Sequence, residues 1–168
     1  MLRNALQDFY FQFHTQQHYF LCHDILEDAW KANPHYSKED AIVSLILTAT
    51  GCYHYRRQNF VGAVKSFKKA LSVIRKFDSA LNIGLDIQAY QQQIQTLINT
   101  VNRERTFTPI QLPITNEMEE DILKRYPNYI VTFYKIEDSY IIDHHLKRDR
   151  TEVEAARQRA LQARHNAQ

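Results

Sequence analysis

The chain has 168 residues, 44 % of them hydrophobic and 12 % aromatic, enough for one domain with a core of its own and a tail. Lys and Arg number 21 against 19 Asp and Glu, a formal charge of +2, which argues against a protein that grips nucleic acid through its phosphates. With 3 Gly and 4 Pro a strand-and-turn sandwich is disfavoured and helices are favoured, and no apolar run is long enough for a secretory leader or a membrane span.

Leu2 to about His14 reads as a first helix, with Leu2, Leu6, Phe9 and Phe13 on one face. A second runs through Lys31, with the apolar stripe Tyr19, Cys22, Leu26, Ala29 and Trp30, and Asn33-Pro34 ends it. "SKED" at 37–40 resembles a capping box, with Ser37 as N-cap of a third helix, "AIVSLILTATGCYHYRR". Leu, Ile and Ala occur almost all round the middle of that helix, so it is expected at the centre of the fold. Gln58 and Asn59 break it. A fourth helix follows, with Ala63, Phe67, Ala70, Leu71 and Ile74 inward and Lys65, Lys68 and Lys69 outward, and a fifth spans about Leu85 to Arg103.

Gly51, His54, Ala63, Phe67 and Ala70 fall at tetratricopeptide spacing. One such unit is better explained as a helical hairpin with small residues at the crossing, because solenoids need several repeats. After residue 104 the composition changes. "TFTPIQLPIT" is an extended linker, and Asn116 with Glu119 caps a short helix through Arg125. "YIVTFYKI" and "SYIID" around Glu137-Asp138 suggest a small β-hairpin. Thr151 to Glu154 is a capping box that opens a last helix, "EAARQRALQAR". The expected fold is mainly all-α: a bundle of about five helices at 1–104, and a C-terminal extension at 105–168. Two cysteines, Cys22 and Cys52, make no disulfide framework and read as buried small hydrophobes of a reduced, cytoplasmic protein.

The second helix raises the functional question. Tyr19, His23, Glu27 and Trp30 recur at spacings of four, four and three, so they form one row along a helix face, on the side that should meet the core. Glu27 has His23 as its local partner. If the second and third helices are antiparallel, His54 approaches the His23 end of the row. Three readings stand. The leading one is a non-enzymatic interaction module in which the row is a hydrogen-bonded network fixing helix packing. In the second, His23, Glu27 and His54 hold a divalent metal or a small ligand between helices. In the third they act as acid and base in a hydrolase-like enzyme.

The His23–x3–Glu27–x2–Trp30 helix within "HYFLCHDILEDAWK", followed by "LILTATGCYHYRRQNFVGAVKSFKKAL", resembles the bacterial and archaeal proteins grouped as domain of unknown function family 309. The resemblance covers about residues 8 to 75, and "DHHLKRDRTEVEAARQRALQAR" also resembles the tail of Firmicutes members. It implies an all-helical bundle with the row as a common site, and no activity.

Lys147, Arg148, Arg150, Arg157, Arg159 and Arg164 make a second candidate surface. Interspersed acids and the Arg150–Glu154 pair favour a solvated helix there, with an acidic partner or RNA as the sharper reading. A protein partner or a second copy of the chain is the expected kind of partner, no membrane is expected, and nucleic acid is disfavoured by the charge balance.

Overall fold

A helix that is apolar on every side has no face to turn to water, and Ala41–Arg56 is buried along most of its length. The computed structural model describes residues 2–142, 158–159 and 161–163. Their elements are α1 (Leu2–Phe11), a π-helical turn (Gln12–Gln16), α2 (Tyr19–Lys31), α3 (Ala41–Arg56), α4 (Phe60–Ile74), a 3₁₀ turn (Leu81–Ile83), α5 (Ile87–Val101), α6 (Asn116–Arg125) and a short α7 (Ser139–Ile142). The architecture is mainly all-α. The central helix α3 packs on α2 and α4, α4 on α5, and α1 on α2 and α6. No described helix is long and apolar enough to cross a membrane.

The crossing of α3 and α4 depends on a small residue. A Cβ at Gly51 would stand 2.5 Å from the buried Phe67 ring. That contact accounts for the small-residue spacing without a repeat array. Beside it, Ser44 donates to the Ala70 carbonyl at 2.8 Å, and the Tyr90 hydroxyl meets Ser44 at 2.9 Å and Thr48 at 2.8 Å. Three helices are thereby tied by buried polar groups that satisfy one another. Cys22 and Cys52 are free and buried, and burial raises both thiol pKa values, as expected of packing residues.

Several boundaries differ from expectation. The first helix does not run to His14: it widens into the π turn after Phe11 and ends at Gln17, which is left-handed at φ 54°. Ser37 is not the N-cap of α3; Asp40 is. The carboxylate of Asp40 accepts from the Ser37 amide at 2.8 Å, so half of the expected box is present, starting three residues before the N-cap. Thr115 caps α6 through the Met118 amide at 3.2 Å, and the expected cap Asn116 is its first helical residue.

The expected β-hairpin is absent: no strand occurs among the described residues, and the place of its second arm is taken by α7. Its first arm is extended, but its backbone bonds go to the π turn rather than to a second strand. A wide turn closing on a left-handed residue leaves carbonyls without helical partners. Thr132 donates its amide to the His14 carbonyl at 2.9 Å and its hydroxyl to the Thr15 carbonyl at 2.9 Å. The buried Gln17 side chain gives its amide to the Tyr134 carbonyl at 2.8 Å and takes the Ile136 N–H at 3.1 Å. Residues 129–136 are therefore a strap across the α1–α2 corner. Of the expected last helix, 158–159 and 161–163 are helical and exposed; the Thr151–Glu154 box lies outside the described residues.

His14 fixes the strap from inside. The Leu112 amide donates to its Nε2 at 2.8 Å, so the neutral ring carries its proton on Nδ1 and gives it to the Tyr129 oxygen at 2.7 Å. Burial lowers its pKa from 6.5 to about 3. The unfolded chain therefore binds a proton that the native protein refuses between pH 6.5 and 3, and stability falls as pH falls through that window. The loss from this group is expected to reach about 3 kcal/mol by about pH 4. Urea melts across the range, run beside His14→Gln, test it: the variant is expected to be weaker at neutral pH and to lack this component of the slope, and parallel profiles would refute it.

Candidate functional site

Helix α2 presents the row toward α3, and the two helices run antiparallel. The C-terminal end of α2 meets the N-terminal end of α3 at Trp30, whose indole N–H is shared by the Ser37 carbonyl at 3.0 Å and the Asp40 carboxylate at 3.1 Å. Tyr36 stands edge-on to the same indole, with centroids 5.0 Å apart. Trp30 thus pins the α2–α3 connection to the residue that begins α3.

At the other end Tyr19 is fully buried, between Phe13 and Phe107 with the Arg56 guanidinium 4.6 Å over its ring. Arg56 also donates to the Gln17 carbonyl at 2.6 Å. The middle of the row is not core. The side chains of His23 and Glu27 are 31 % and 30 % exposed. His23 Nδ1 lies 3.2 Å from Asp24 Oδ1 and 3.4 Å from Glu27 Oε2, and the other oxygen of Glu27 accepts from Lys31 Nζ at 2.5 Å. Carboxylates only accept, so Nδ1 carries the proton in the neutral ring and Nε2 keeps its lone pair.

His54 has the opposite polarity. Its Nδ1 lies 3.2 Å from Asn59 Nδ2. The amide orientation is fixed because Asn59 Oδ1 caps α4 by accepting from the Gly62 amide at 3.0 Å. Nδ1 of His54 is therefore an acceptor, and the neutral ring holds its proton on Nε2. Its pKa is lowered, first by burial and then by the positive charge of Arg57.

The two imidazoles share a cleft of about 190 Å³, lined by Tyr19, Phe20, His23, Thr50, Tyr53, His54 and Arg57. Phe20 stacks on His23 with centroids 6.3 Å apart and meets Tyr53 at 5.5 Å, while Arg57 lies 5.3 Å over the Tyr53 ring. Among the described residues no carboxylate lines the cleft.

The residues expected to hold a metal are not gathered as a trio. The group with ligand atoms within 4.8 Å of one another is His23, Asp24 and Glu27, whereas His54 stands across the cleft with its Nδ1 engaged by Asn59. Asp24 lies outside the expected set. Thr50, Tyr53 and Arg57 were missed as well, although they repeat at three and four along α3. Of the C-terminal basic residues, Arg159 is exposed, and Lys147, Arg148, Arg150, Arg157 and Arg164 lie outside the described residues.

Residues 6–66 match the DUF309 family model. DUF309 is described as a domain of unknown function, so the resemblance read from the sequence holds over this segment and brings no activity with it. Every residue lining the cleft falls inside the DUF309 match. The chain is also 29 % identical over 171 residues to the Uncharacterized protein YpuF of Bacillus subtilis (strain 168), across 98 % of this chain and 97 % of that protein. That likeness extends past the DUF309 segment into the strap. No solved structure matches.

The row's members contribute unequally to stability. Trp30→Phe removes a donor shared by two acceptors at the α2–α3 connection and is expected to cost about 1–2 kcal/mol. Glu27→Gln weakens half-exposed pairs within one helix and is expected to cost less than about 1 kcal/mol. Denaturant midpoints of the two variants check the order, and a larger loss in Glu27→Gln would contradict it.

Proposed function

We propose that the protein is a small-ligand-binding helical protein whose site is the cleft between α2 and α3. The observation that carries this reading is the pair of imidazoles of opposite polarity on one aromatic-walled cleft: His23 turned into an acceptor at Nε2 by its carboxylates, His54 into a donor at Nε2 by Asn59. Apolar walls with a few polar groups of fixed role are the usual build of a ligand site. At about 190 Å³ the cleft is near the size of engineered cavities of about 150 Å³ that take up benzene, so the ligand is small. The aromatic walls and the opposed ring nitrogens favour a planar molecule with an acidic or electron-rich edge. The reading takes residues 1–104 as the bundle that carries the site, 105–168 as a C-terminal extension, and the cytoplasm as its place of action.

An internal strut, the leading expectation for the row, has less support. Among the described residues the bonds of His23, Glu27 and Lys31 run along α2 and do not cross to α3. A divalent cation is the second reading, favoured by the His23–Asp24–Glu27 cluster, with Lys31 displaced from Glu27 when the ion enters. Both readings are tested by following the side-chain ¹H–¹⁵N signals of the histidines. A series of small aromatic carboxylates is expected to shift His23 and His54 together, with the response lost in His54→Ala. Zinc that shifts His23 alone, with no carboxylate response, would replace the proposal with the cation reading; silence to both would overturn the two.

A further inference from the structure

A different face of the bundle carries a charge pattern that the cleft does not use. From Phe60 to Phe77 the chain holds no Asp or Glu, while Lys65, Lys68, Lys69, Arg75 and Lys76 fall within it. In a chain whose charges nearly balance overall, this is a strong local bias. Part of it is neutralised, since Lys76 pairs with Glu39. Lys65, Lys68 and Arg105 make no ion pair among the described residues.

These three cations edge one groove of about 450 Å³ between α4 and the chain following α5. Phe60, Val61, Val64, Lys65 and Lys68 recur along α4 with helical spacing, so they form one stripe. Its apolar members are partly or largely open to solvent, with Val61 83 % exposed. Arg105 lies across from them with its guanidinium 4.4 Å over the Phe60 ring. An apolar strip bordered by unpaired cations is a poor surface to leave in water.

We infer that this groove docks an acidic helical segment of a partner protein. A branched aliphatic side chain of the partner sits on Val61 and Val64, and its carboxylates face Lys65, Lys68 and Arg105. Charge complementarity selects the acidic partner and gives the contact its salt dependence. From Val61 to Lys68 the stripe is about 10 Å long, which matches two turns of a helix and fits a small, transient interface. Nucleic acid is a worse fit. Three cations neutralise few phosphates, and the one aromatic face on which a base would stack is already covered by Arg105. The groove shares no residue with the α2–α3 cleft, so this inference stands apart from the ligand proposal.

The test uses the full chain and a fluorescein-labelled helical peptide of Glu and Leu with its leucines on one face. Binding followed by anisotropy is expected to weaken with added salt and to fall roughly tenfold or more in Lys65→Glu/Lys68→Glu and in Val61→Ser. A peptide with Gln in place of Glu is expected to bind at least about tenfold more weakly. Backbone amide shifts on α4 would place the peptide there. The substituted side chains are exposed, so unchanged thermal melts serve as the folding control, and if Val61→Ser unfolds, the lysine pair carries the test. Peptide binding that survives the lysine reversals would overturn the inference, as would no binding at millimolar peptide. Tighter binding of an oligothymidylate or of phosphatidylglycerol vesicles, lost in the same variants, would overturn it in favour of nucleic acid or membrane. A dimer in sedimentation that these variants dissociate would assign the groove to a second copy of the chain.

Discussion

The late third of the described chain depends on one buried imidazole staying neutral. His14 sits in a turn too wide for ordinary helical hydrogen bonds, and both its nitrogens and its carbonyl are used by segments that follow more than ninety positions later. Nε2 holds the linker at Leu112, Nδ1 holds Tyr129, and the carbonyl holds Thr132. Each bond needs a defined donor and a defined acceptor, and a second proton on the ring would remove the acceptor that Leu112 requires. The strap, the left-handed Gln17 and the Arg56 contact to the Gln17 carbonyl all build on that corner, and the corner sets where α2 begins.

Much of the bundle was legible from the chain because its side-chain periods are long and unambiguous. Helix α3 has apolar residues all round and lies in the centre; α4 turns Phe67 and Ala70 inward and its lysines outward, as the 3.6-residue period requires. The π turn left no such mark, since it changes the backbone register over five residues and not the polarity pattern. The alternating run after Tyr129 looked like half of a hairpin for a physical reason: it is an extended segment that buries Tyr129 and Thr132 and exposes Ile130 and Phe133. Its hydrogen-bond partners are the stranded carbonyls and the Gln17 side chain, which no local pattern announces. His14 in "FQFHTQQH" carried no signal that set it apart from His18.

The row on α2 is a line along one helix and not one unit. Its four side chains do three different things. Tyr19 is core under Arg56; Trp30 pins the α2–α3 connection; His23 and Glu27 belong to a polar cluster at the edge of a cleft. Burial separates Tyr19 from the other three, which are all partly exposed, and exposure depends on which neighbours α3 brings opposite. Thr50, one turn before the Tyr53–His54 pair, leaves room where a larger side chain would have closed the groove. Asn59 adds a link between capping and chemistry. The same amide that begins α4 through Gly62 fixes the ring polarity of His54, so a helix start some distance from α2 decides what the cleft offers to a ligand.

Three histidines thus take three environments from three kinds of partner: a backbone amide at His14, carboxylates at His23, a capping amide at His54. Long-range ¹H–¹⁵N correlation spectra of the imidazoles, recorded on the free protein, report the tautomer of each directly. The protons are expected on Nδ1 in His14 and His23 and on Nε2 in His54. Finding His23 and His54 in the same tautomer would remove the opposed donor and acceptor from the cleft, and with them the basis for a ligand site between α2 and α3.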